Sequence, residues 1–461
     1  MRFKELADLT GGRLYGDDKG DIAFEGIAID SRMVKPGELF IAISGDTNDG
    51  HNYIEQAIGN GAVGVVSEMS KPITEKMASR TAVVGVVNSH EAMIKLARAY
   101  RDSLTAKFIG ITGSNGKTTT KELTYQLIKA VESRAYRSPG NFNNLFGVPL
   151  ALFAISKDAR VVVVEMGIST DVEMPTLADI VHPDVIVITN VGATHLEFLK
   201  TIEAVAQAKL QLVRKAKAEV PVIINADDAL LVRETKKIRE NFITFALDSR
   251  ADFTVDDVVT REDGTSIVAI DGYSFNLPLV GSHQIYNLLA AYATFKTLGF
   301  SFEGMDTLDI PLNTAPMRGQ KTVLSNITFV ADCYNANPES VRAGLKAFFE
   351  SKMPGRRVVI LGDMLELGEK AIEYHRAAGK QLASGYFEKA VLVGELSKYV
   401  MDGALKAGVP KGALVHFDNA KDAAKAMKDF LREGDFVYIK GSRGIGLEAI
   451  LNSFGKPGGT R

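Results

Sequence analysis

The chain is poor in cysteine: Cys333 is the only one in 461 residues. A lone thiol cannot close an intrachain disulfide, and it removes any zinc site built from several cysteines. Net charge is also missing, since 54 Lys and Arg against 56 Asp and Glu leave a formal −2. No global basic field therefore argues for nucleic acid, and Lys352, Arg356 and Arg357 are too few to make a binding patch. No apolar run reaches the roughly 18 residues of a membrane span. The opening Met1-Arg-Phe-Lys-Glu-Leu-Ala7 lacks the apolar centre of a signal peptide. A reducing, cytoplasmic setting is expected. Repeats of fixed period and low-complexity tracts are absent as well.

What is present is ordinary globular material, 46% hydrophobic and 24% charged. At roughly 150 residues per domain the length predicts three domains. Short apolar runs alternate with helical patterns throughout, so the expected class is α/β with mostly parallel sheets. Residues 1–104 should form a small N-terminal α/β domain, with strands at Gly26–Ile29, Leu39–Ile43, Val63–Val66 and Val83–Val87. Residues 105–312 should form a central domain on the β-branched runs Phe108–Ile111, Val161–Val164, Val185–Thr189 and Val220–Ile224. Pro311, Asn313, Pro316 and Gly319 read as a hinge. Residues 313–461 should form a Rossmann-like α/β domain ending in a frayed tail, Gly455–Arg461. No Gly-x-Gly-x-x-Gly fingerprint follows its strands, so a dinucleotide site is unsupported.

The most informative stretch is Phe108-Ile-Gly-Ile-Thr-Gly-Ser-Asn-Gly-Lys-Thr-Thr-Thr120. An apolar strand leads in, and a helix with Leu123, Leu127, Ile128 and Val131 on one face leads out. Glycines between them let backbone N–H groups approach phosphate oxygens, and the helix adds the positive end of its dipole. Lys117 can reach the outer phosphates and the Thr118 hydroxyl can ligate Mg²⁺. The loop is not the strict P-loop pattern, because Ile111 stands where that pattern has its first glycine.

A phosphate loop needs metal partners on neighbouring strands. Glu165 closes the run Val161–Val164, and an acid at the carboxyl end of a buried strand faces the ligand crevice of an open α/β sheet. His195 follows Val185–Thr189 in the same way; a lone histidine is most often structural, but this one keeps functional company. Thr201–Lys217 reads as a helix whose apolar stripe, Ile202, Val205 and Leu212, is interrupted by Lys209. Residue pattern alone favours a lysine snorkelling to solvent at the stripe edge. Tyr334-Asn-Ala-Asn-Pro338 reads equally as a capped turn or a ligand contact, and Lys440–Gly446 as an anion cradle or a glycine-rich turn.

These motifs resemble the Mur ligases of bacterial cell-wall synthesis, over nearly the whole chain. The family-level motifs are residues 111–119, Glu165-Met-Gly167, Asn190–Glu197, Ala206–Lys209, Gly281–Asn287 and the Arg318 segment. Asp332–Pro338, Leu361–Glu369 and Lys440–Arg443 resemble the branch that uses a D-alanyl dipeptide; Ile29–Arg32, Gly37–Phe40 and Asp49–His51 fit its nucleotide-sugar domain. Departures fall at Leu145, Leu210-Gln211, Gln284 and Cys333.

The resemblance implies an ATP-dependent amide-bond ligase that adds D-alanyl-D-alanine to UDP-N-acetylmuramoyl-tripeptide through an acyl phosphate, acting as a monomer. Gly113, Ser114, Asn115, Gly116, Lys117, Thr118 and Thr119 would bind ATP phosphates. His283 and Asn287 would lie near the adenine, and Arg318 and Asp332 would reach the nucleotide from beyond the hinge. Thr118, Glu165, His195 and Lys209 would hold Mg²⁺, with Lys209 carbamylated. Ser31, Arg32, Asn144, Tyr334, Asn335 and Asn337 would contact substrates. Lys117, His195, Lys209 and Arg318 would carry the catalysis. Alternatives are a ligase adding another amino acid or a glutamate to folate, a P-loop ATPase coupling hydrolysis to motion, and an inactive scaffold. The intact Lys117, Thr118, Glu165 and His195 argue against the last.

Overall fold

The computed structural model describes residues 1–45, 48–311 and 317–455. Asn313 and Pro316 of the expected hinge, and the tail beyond Gly455, lie outside the described residues. The fold is α/β and forms two compact units. One comprises Met1–Gly110, Arg134–Gly167 and Glu173–Asp184; the other comprises Ile111–Ser133, Ile168–Val172 and Val185–Arg461.

In the first unit a five-stranded sheet has the order Arg13–Tyr15, Ala82–Val86, Gly64–Glu68, Glu38–Ile41, Gly26–Ala28. The Arg13–Tyr15 edge is antiparallel and the other pairs are parallel. Successive side chains of a strand point to opposite faces, and here both faces are covered. Leu39, Ile41, Val66 and Val84 pack with Phe3 and Leu6 of one helix and Met93 and Leu96 of another. Phe40, Val65 and Val83 pack on the other side with Ile54 and Ala57. Double coverage is why these strands read as unbroken apolar runs. The same unit holds the parallel pair Ala135–Arg137 and Val161–Glu165, the second buried throughout.

Strand Lys107–Thr112 carries the chain from the first unit into the second. There Val185–Ile188, Val222–Asn225 and Ile243–Phe245 run parallel. Helix Lys117–Lys129 packs against helix His283–Thr297. A sheet absent from the sequence reading follows: Asp257–Thr260, Ser266–Ile270 and Tyr273–Leu277 form an antiparallel meander, joined in parallel by Thr307–Asp309. Asp257–Thr260 is largely exposed and Ser266–Ile270 alternates buried and half-buried, so neither shows the continuous apolar signature.

The last sheet has six strands in the order Gln320–Leu324, Ile327–Asp332, Phe436–Lys440, Arg357–Gly362, Lys389–Val393, Leu414–Phe417. Its first pair is antiparallel and the rest are parallel. Phe329, Ile360, Val391 and Ile439 pack with Ala423, Met427 and Ile450 on one face. Val330, Leu361, Leu392 and Tyr438 pack with Leu345, Leu382 and Val400 on the other. The final strand, Phe436–Lys440, inserts between Ile327–Asp332 and Arg357–Gly362. Asp332, Gly362 and Lys440 thus share the carboxyl edge of the sheet, where ligands bind in open α/β folds. Cys333 lies at 0% exposure in this core, and burial pushes its thiol up to about 12.

The helix bearing Lys209 spans Ile202–Lys215 and starts at Thr201, whose hydroxyl accepts the Ala204 N–H at 3.1 Å. Thr201→Ala should lower unfolding free energy by about 1 kcal/mol, read as a reduced urea midpoint with unchanged slope.

Candidate active site

The phosphate-loop motif folds as its residues dictate. Gly113 has φ +146° and Gly116 φ +80°, both in the range that favours glycine. Space settles the matter further. A Cβ on Gly113 would lie 2.0 Å from Thr189 Oγ1, and one on Gly116 2.1 Å from Asn287 Oδ1. The loop backbone is pressed against its neighbours and pinned there. Ser114 N–H donates to the Asn190 carbonyl, and Asn115 N–H donates to Asn190 Oδ1, both at 2.9 Å. Thr189 Oγ1 donates to the Asn115 carbonyl at 2.5 Å. Ser114 Oγ accepts from Gly192 N–H at 2.9 Å and lies 3.1 Å from Thr194 Oγ1. The segment Thr189–Thr194 therefore fixes the loop's shape.

Helix Lys117–Lys129 rises directly from Gly116, with Thr118 and Thr119 buried in its first turn. Lys117 Nζ folds back over the loop and donates to the carbonyls of Gly113 at 2.8 Å and Ser114 at 3.2 Å. Asn287 supports the loop from below: Thr120 Oγ1 donates to its Oδ1 at 3.3 Å, and its Nδ2 donates to Gln284 Oε1 at 2.8 Å. That places Asn287 in packing contact with the loop. Its neighbour His283 is held neutral, since burial lowers its pKa to about 4, against Asp332, which raises it.

Lys209 overturns the expectation of snorkelling. It is 1% exposed, and no hydrogen bond or ion pair to its Nζ occurs among the described residues. Burial first, and the charge of Lys117 second, lower its pKa well below the ordinary lysine value. The amine is therefore pushed toward its neutral, nucleophilic form.

His195 has a left-handed backbone, φ +55°, and so does Glu366, φ +62°. Such conformations in non-glycine residues cluster at functional sites. His195 Nδ1 meets Glu366 Oε2 at 2.5 Å, which leaves Nε2 as the outward ring nitrogen. The contact with His195 lowers the Glu366 pKa, opposed by burial. A carboxylate on one ring nitrogen orients the other and makes it a better ligand. Glu197 N–H also donates to the Glu366 carbonyl at 3.1 Å.

Asn337 takes up the capped-turn reading of its motif and adds a remote bond. Its Oδ1 caps helix Pro338–Glu350 by accepting Ser340 N–H at 2.9 Å. Its Nδ2 donates to Asn115 Oδ1 of the phosphate loop at 2.7 Å. Nearby, both carboxylate oxygens of Glu339 accept from Ala193 N–H at 3.2 Å. Arg318 stacks its guanidinium 3.8 Å from the Tyr334 ring centroid, and its buried Nε has no hydrogen-bond partner among the described residues. Asp332 accepts from Lys440 Nζ at 2.7 Å; the same ammonium donates to the Asn335 carbonyl at 3.1 Å.

In the first unit, Glu165 is 1% exposed and accepts from Asn143 Nδ2 at 2.8 Å. Asn144 Oδ1 accepts the N–H groups of Phe146 and Gly147, a local capping role. Ser31 donates to Gln56 Oε1 at 2.8 Å, while Arg32 pairs with Asp30, whose pKa that contact lowers to about 2.

Residue reasoning passed over Asn143, Glu339 and the role of Glu366. Glu339 and Glu366 meet partners 146 and 171 positions away, so no local spacing announces them.

The loop fits a nucleoside triphosphate: its glycines admit close backbone approach, a 13-residue helix starts there, and Arg318 presents an orphaned N–H. No three His, Cys, Asp or Glu side chains converge as a metal set among the described residues. A loop hydroxyl with few protein ligands is the donor set that suits Mg²⁺, which keeps several of its waters.

Comparison with known proteins identifies the family. Three family models match: the Mur ligase catalytic domain at residues 23–101, the middle domain at 111–295 and the glutamate ligase domain at 317–443. The UDP-N-acetylmuramoyl-tripeptide–D-alanyl-D-alanine ligase of Bacillus subtilis is 32% identical over 97% of both chains. Among solved structures, MurF from Thermotoga maritima in complex with ADP superposes with TM-score 0.80 at 27% identity, over 94% of this chain and 98% of that one. MurF from Acinetobacter baumannii shares the fold with TM-score 0.85 at 24% identity, over 98% of each. The chain belongs to the Mur ligase family.

Lys209→Met removes a buried amine and should leave stability unchanged or raise it by about 1–3 kcal/mol. The sign follows from linkage: a lysine with lowered folded pKa binds its proton more readily when unfolded, so wild type loses stability as pH falls below the ordinary lysine pKa. Urea unfolding of both proteins at pH 7 and pH 10, in CO₂-free buffer, should show this slope in wild type and a flatter one in the variant.

Proposed function

We propose that this chain is an ATP-dependent amide-bond ligase that joins D-alanyl-D-alanine to UDP-N-acetylmuramoyl-tripeptide in peptidoglycan precursor synthesis. The observation that carries the reading is the Asn115–Asn337 hydrogen bond. It sets the phosphate loop beside the carboxyl edge of the last sheet, so ATP and an incoming amine can meet. No helix among the described residues is long and apolar enough to cross a membrane. The reading takes the protein as a cytoplasmic monomer.

Amide formation from a carboxylate is uphill in water, and oxide is a poor leaving group. The tripeptide carboxylate attacks the γ-phosphorus of ATP, ADP leaves, and an acyl phosphate forms. The dipeptide amine then attacks the acyl carbon and inorganic phosphate leaves. Phosphoryl transfer asks the protein for in-line positioning and neutralised charge. Gly113–Thr119 hold the phosphates, and Lys117 moves from the loop carbonyls to the outer phosphates. Arg318, already stacked on Tyr334, offers its Nε–H to the transferring group.

Thr118, Glu165, His195 and Lys209 are each assigned to Mg²⁺ on their family motifs alone. Bound there, Mg²⁺ neutralises phosphate charge. Lys209 serves as a carbamate: its neutral amine attacks CO₂, loses a proton and becomes an anion. That reading is supported by a buried lysine without a counter-ion among the described residues. His283, Asn287 and Asp332 are assigned to the nucleotide, with Asn287 acting through the loop. Ser31, Arg32, Asn144, Tyr334 and Asn335 are assigned to the substrates.

Phosphate release should require ATP, Mg²⁺, the UDP-tripeptide and D-alanyl-D-alanine together, with one UDP-pentapeptide formed per phosphate. Release indifferent to both acceptors would instead indicate a P-loop ATPase coupled to motion. Lys117→Ala should lower kcat by about 10²–10³. ¹³C NMR of protein equilibrated with ¹³C-bicarbonate should show a carbamate signal that Lys209→Met abolishes.

A further inference from the structure

Helix Ala371–Leu382 carries a histidine that stands outside every step of the proposed reaction. His375 is 0% exposed, yet both of its ring nitrogens have partners. Nδ1 lies 2.6 Å from the Ala371 carbonyl oxygen, and Nε2 lies 3.0 Å from the Met364 backbone nitrogen. A carbonyl can only accept and a backbone N–H can only donate. The ring therefore carries its proton on Nδ1 and uses Nε2 as acceptor, which only the neutral form with that tautomer can do. An imidazolium would set a second N–H against that of Met364. Burial lowers the His375 pKa, opposed by the bond to Ala371 and by the Asp363 carboxylate, in keeping with a neutral ring.

Met364 belongs to a turn that is tied down residue by residue. Asp363 N–H donates to the Val393 carbonyl at 3.2 Å, and the Asp363 carbonyl accepts Ser442 N–H at 3.0 Å. The Asp363 carboxylate accepts the N–H groups of Leu396 at 3.1 Å and Ser397 at 2.7 Å. Leu365 N–H donates to Ser442 Oγ at 2.9 Å. The side chains of Met364 and Leu367 are buried in one face of the core. Glu366 sits within this turn with φ +62°, a conformation that a non-glycine residue keeps only where its surroundings over-determine it. The Met364–His375 bond closes the intervening chain on itself, and Glu366 lies inside the closed segment.

We propose that His375 is a positioning residue for the reaction: its Nε2 staples the segment Met364–His375 and so holds the Glu366 carboxylate on Nδ1 of His195. The inference rests on the ligase reading above. Fully buried, His375 acts only through Glu366. Without the staple the Met364 N–H loses its partner and the turn is free to relax Glu366 out of the left-handed region. A misplacement of about 1 Å, arising away from the chemistry, can cost on the order of 10²-fold in rate.

The test separates the two ring nitrogens. In His375→Gln the side-chain carbonyl can stand where Nε2 stood; His375→Asn can reproduce only the Nδ1 donor, and His375→Phe reproduces neither. In the full-length protein with saturating ATP, Mg²⁺, UDP-tripeptide and D-alanyl-D-alanine, His375→Gln should stay within about threefold of wild type in kcat. His375→Asn and His375→Phe should each lose about ten- to a hundredfold in kcat, with the KM for ATP held within about twofold. In a Glu366→Gln background His375→Phe should cost less than about twofold more, since the staple has nothing left to position. Long-range ¹H–¹⁵N spectra of the seven histidines should show His375, assigned by its loss in His375→Gln, as the Nδ1–H tautomer. The His195 ring signals should move in His375→Asn. Equal losses in His375→Gln and His375→Asn, additive losses in the double variant, or an Nε2–H tautomer overturn the assignment and leave the ligase reading standing. Failure of wild type to couple the dipeptide sinks the ligase reading, while the spectra still report whether the staple sets the His195 ring.

Discussion

Everything in the second unit is arranged around a stretch of backbone with no room for a side chain. At Gly113 and Gly116 a single methyl would collide with Thr189 and Asn287 at about 2 Å. Those neighbours are not passive. Thr189 opens the segment that pins the loop, and Asn287 sits in a helix that packs along the helix the loop launches. Crowding holds the N–H groups in one geometry before any nucleotide arrives, and preorganisation of this kind spares reorganisation during the reaction. The same crowding explains why polar residues surround the loop: each close carbonyl and N–H needs a partner once water is excluded.

Much of the fold was legible because of how the sheets are covered. Where helices lie on both faces, strands read as apolar runs, and the expected strands at Val161–Val164 and Val185–Thr189 reappear almost unchanged. The meander of Asp257–Leu277 was missed for the complementary reason. Its strands have a wet face, and five-residue segments with alternating burial leave a weak signal. Short edge strands such as Arg13–Tyr15 and Gln320–Leu324 escaped likewise, having few buried positions to betray them.

The site was legible where chemistry is local and illegible where it is assembled. Loop, lysine and threonine are contiguous, so spacing alone found them. Lys209 was placed on the right helix and stripe, yet a stripe cannot say whether a long side chain bends outward or stays in; only the surrounding packing decides. Glu339 and Glu366 come from a different block of sequence than the backbone and imidazole they touch. Asn337 is instructive because its local role as a cap was legible while its remote bond was not. One amide oxygen caps a helix while the amide nitrogen of the same side chain reaches the phosphate loop. Helix start and nucleotide loop are therefore one mechanical part.

The single cysteine has a practical meaning. Cys333 is sealed in the last sheet's core with its thiol pushed up to about 12, so almost none of it is thiolate at neutral pH. Alkylating reagents and mild oxidants should pass it by. Cysteines introduced elsewhere can then be labelled selectively in the otherwise native chain, and pairs of fluorophores or spin labels placed in the two units would report their distance through the catalytic cycle.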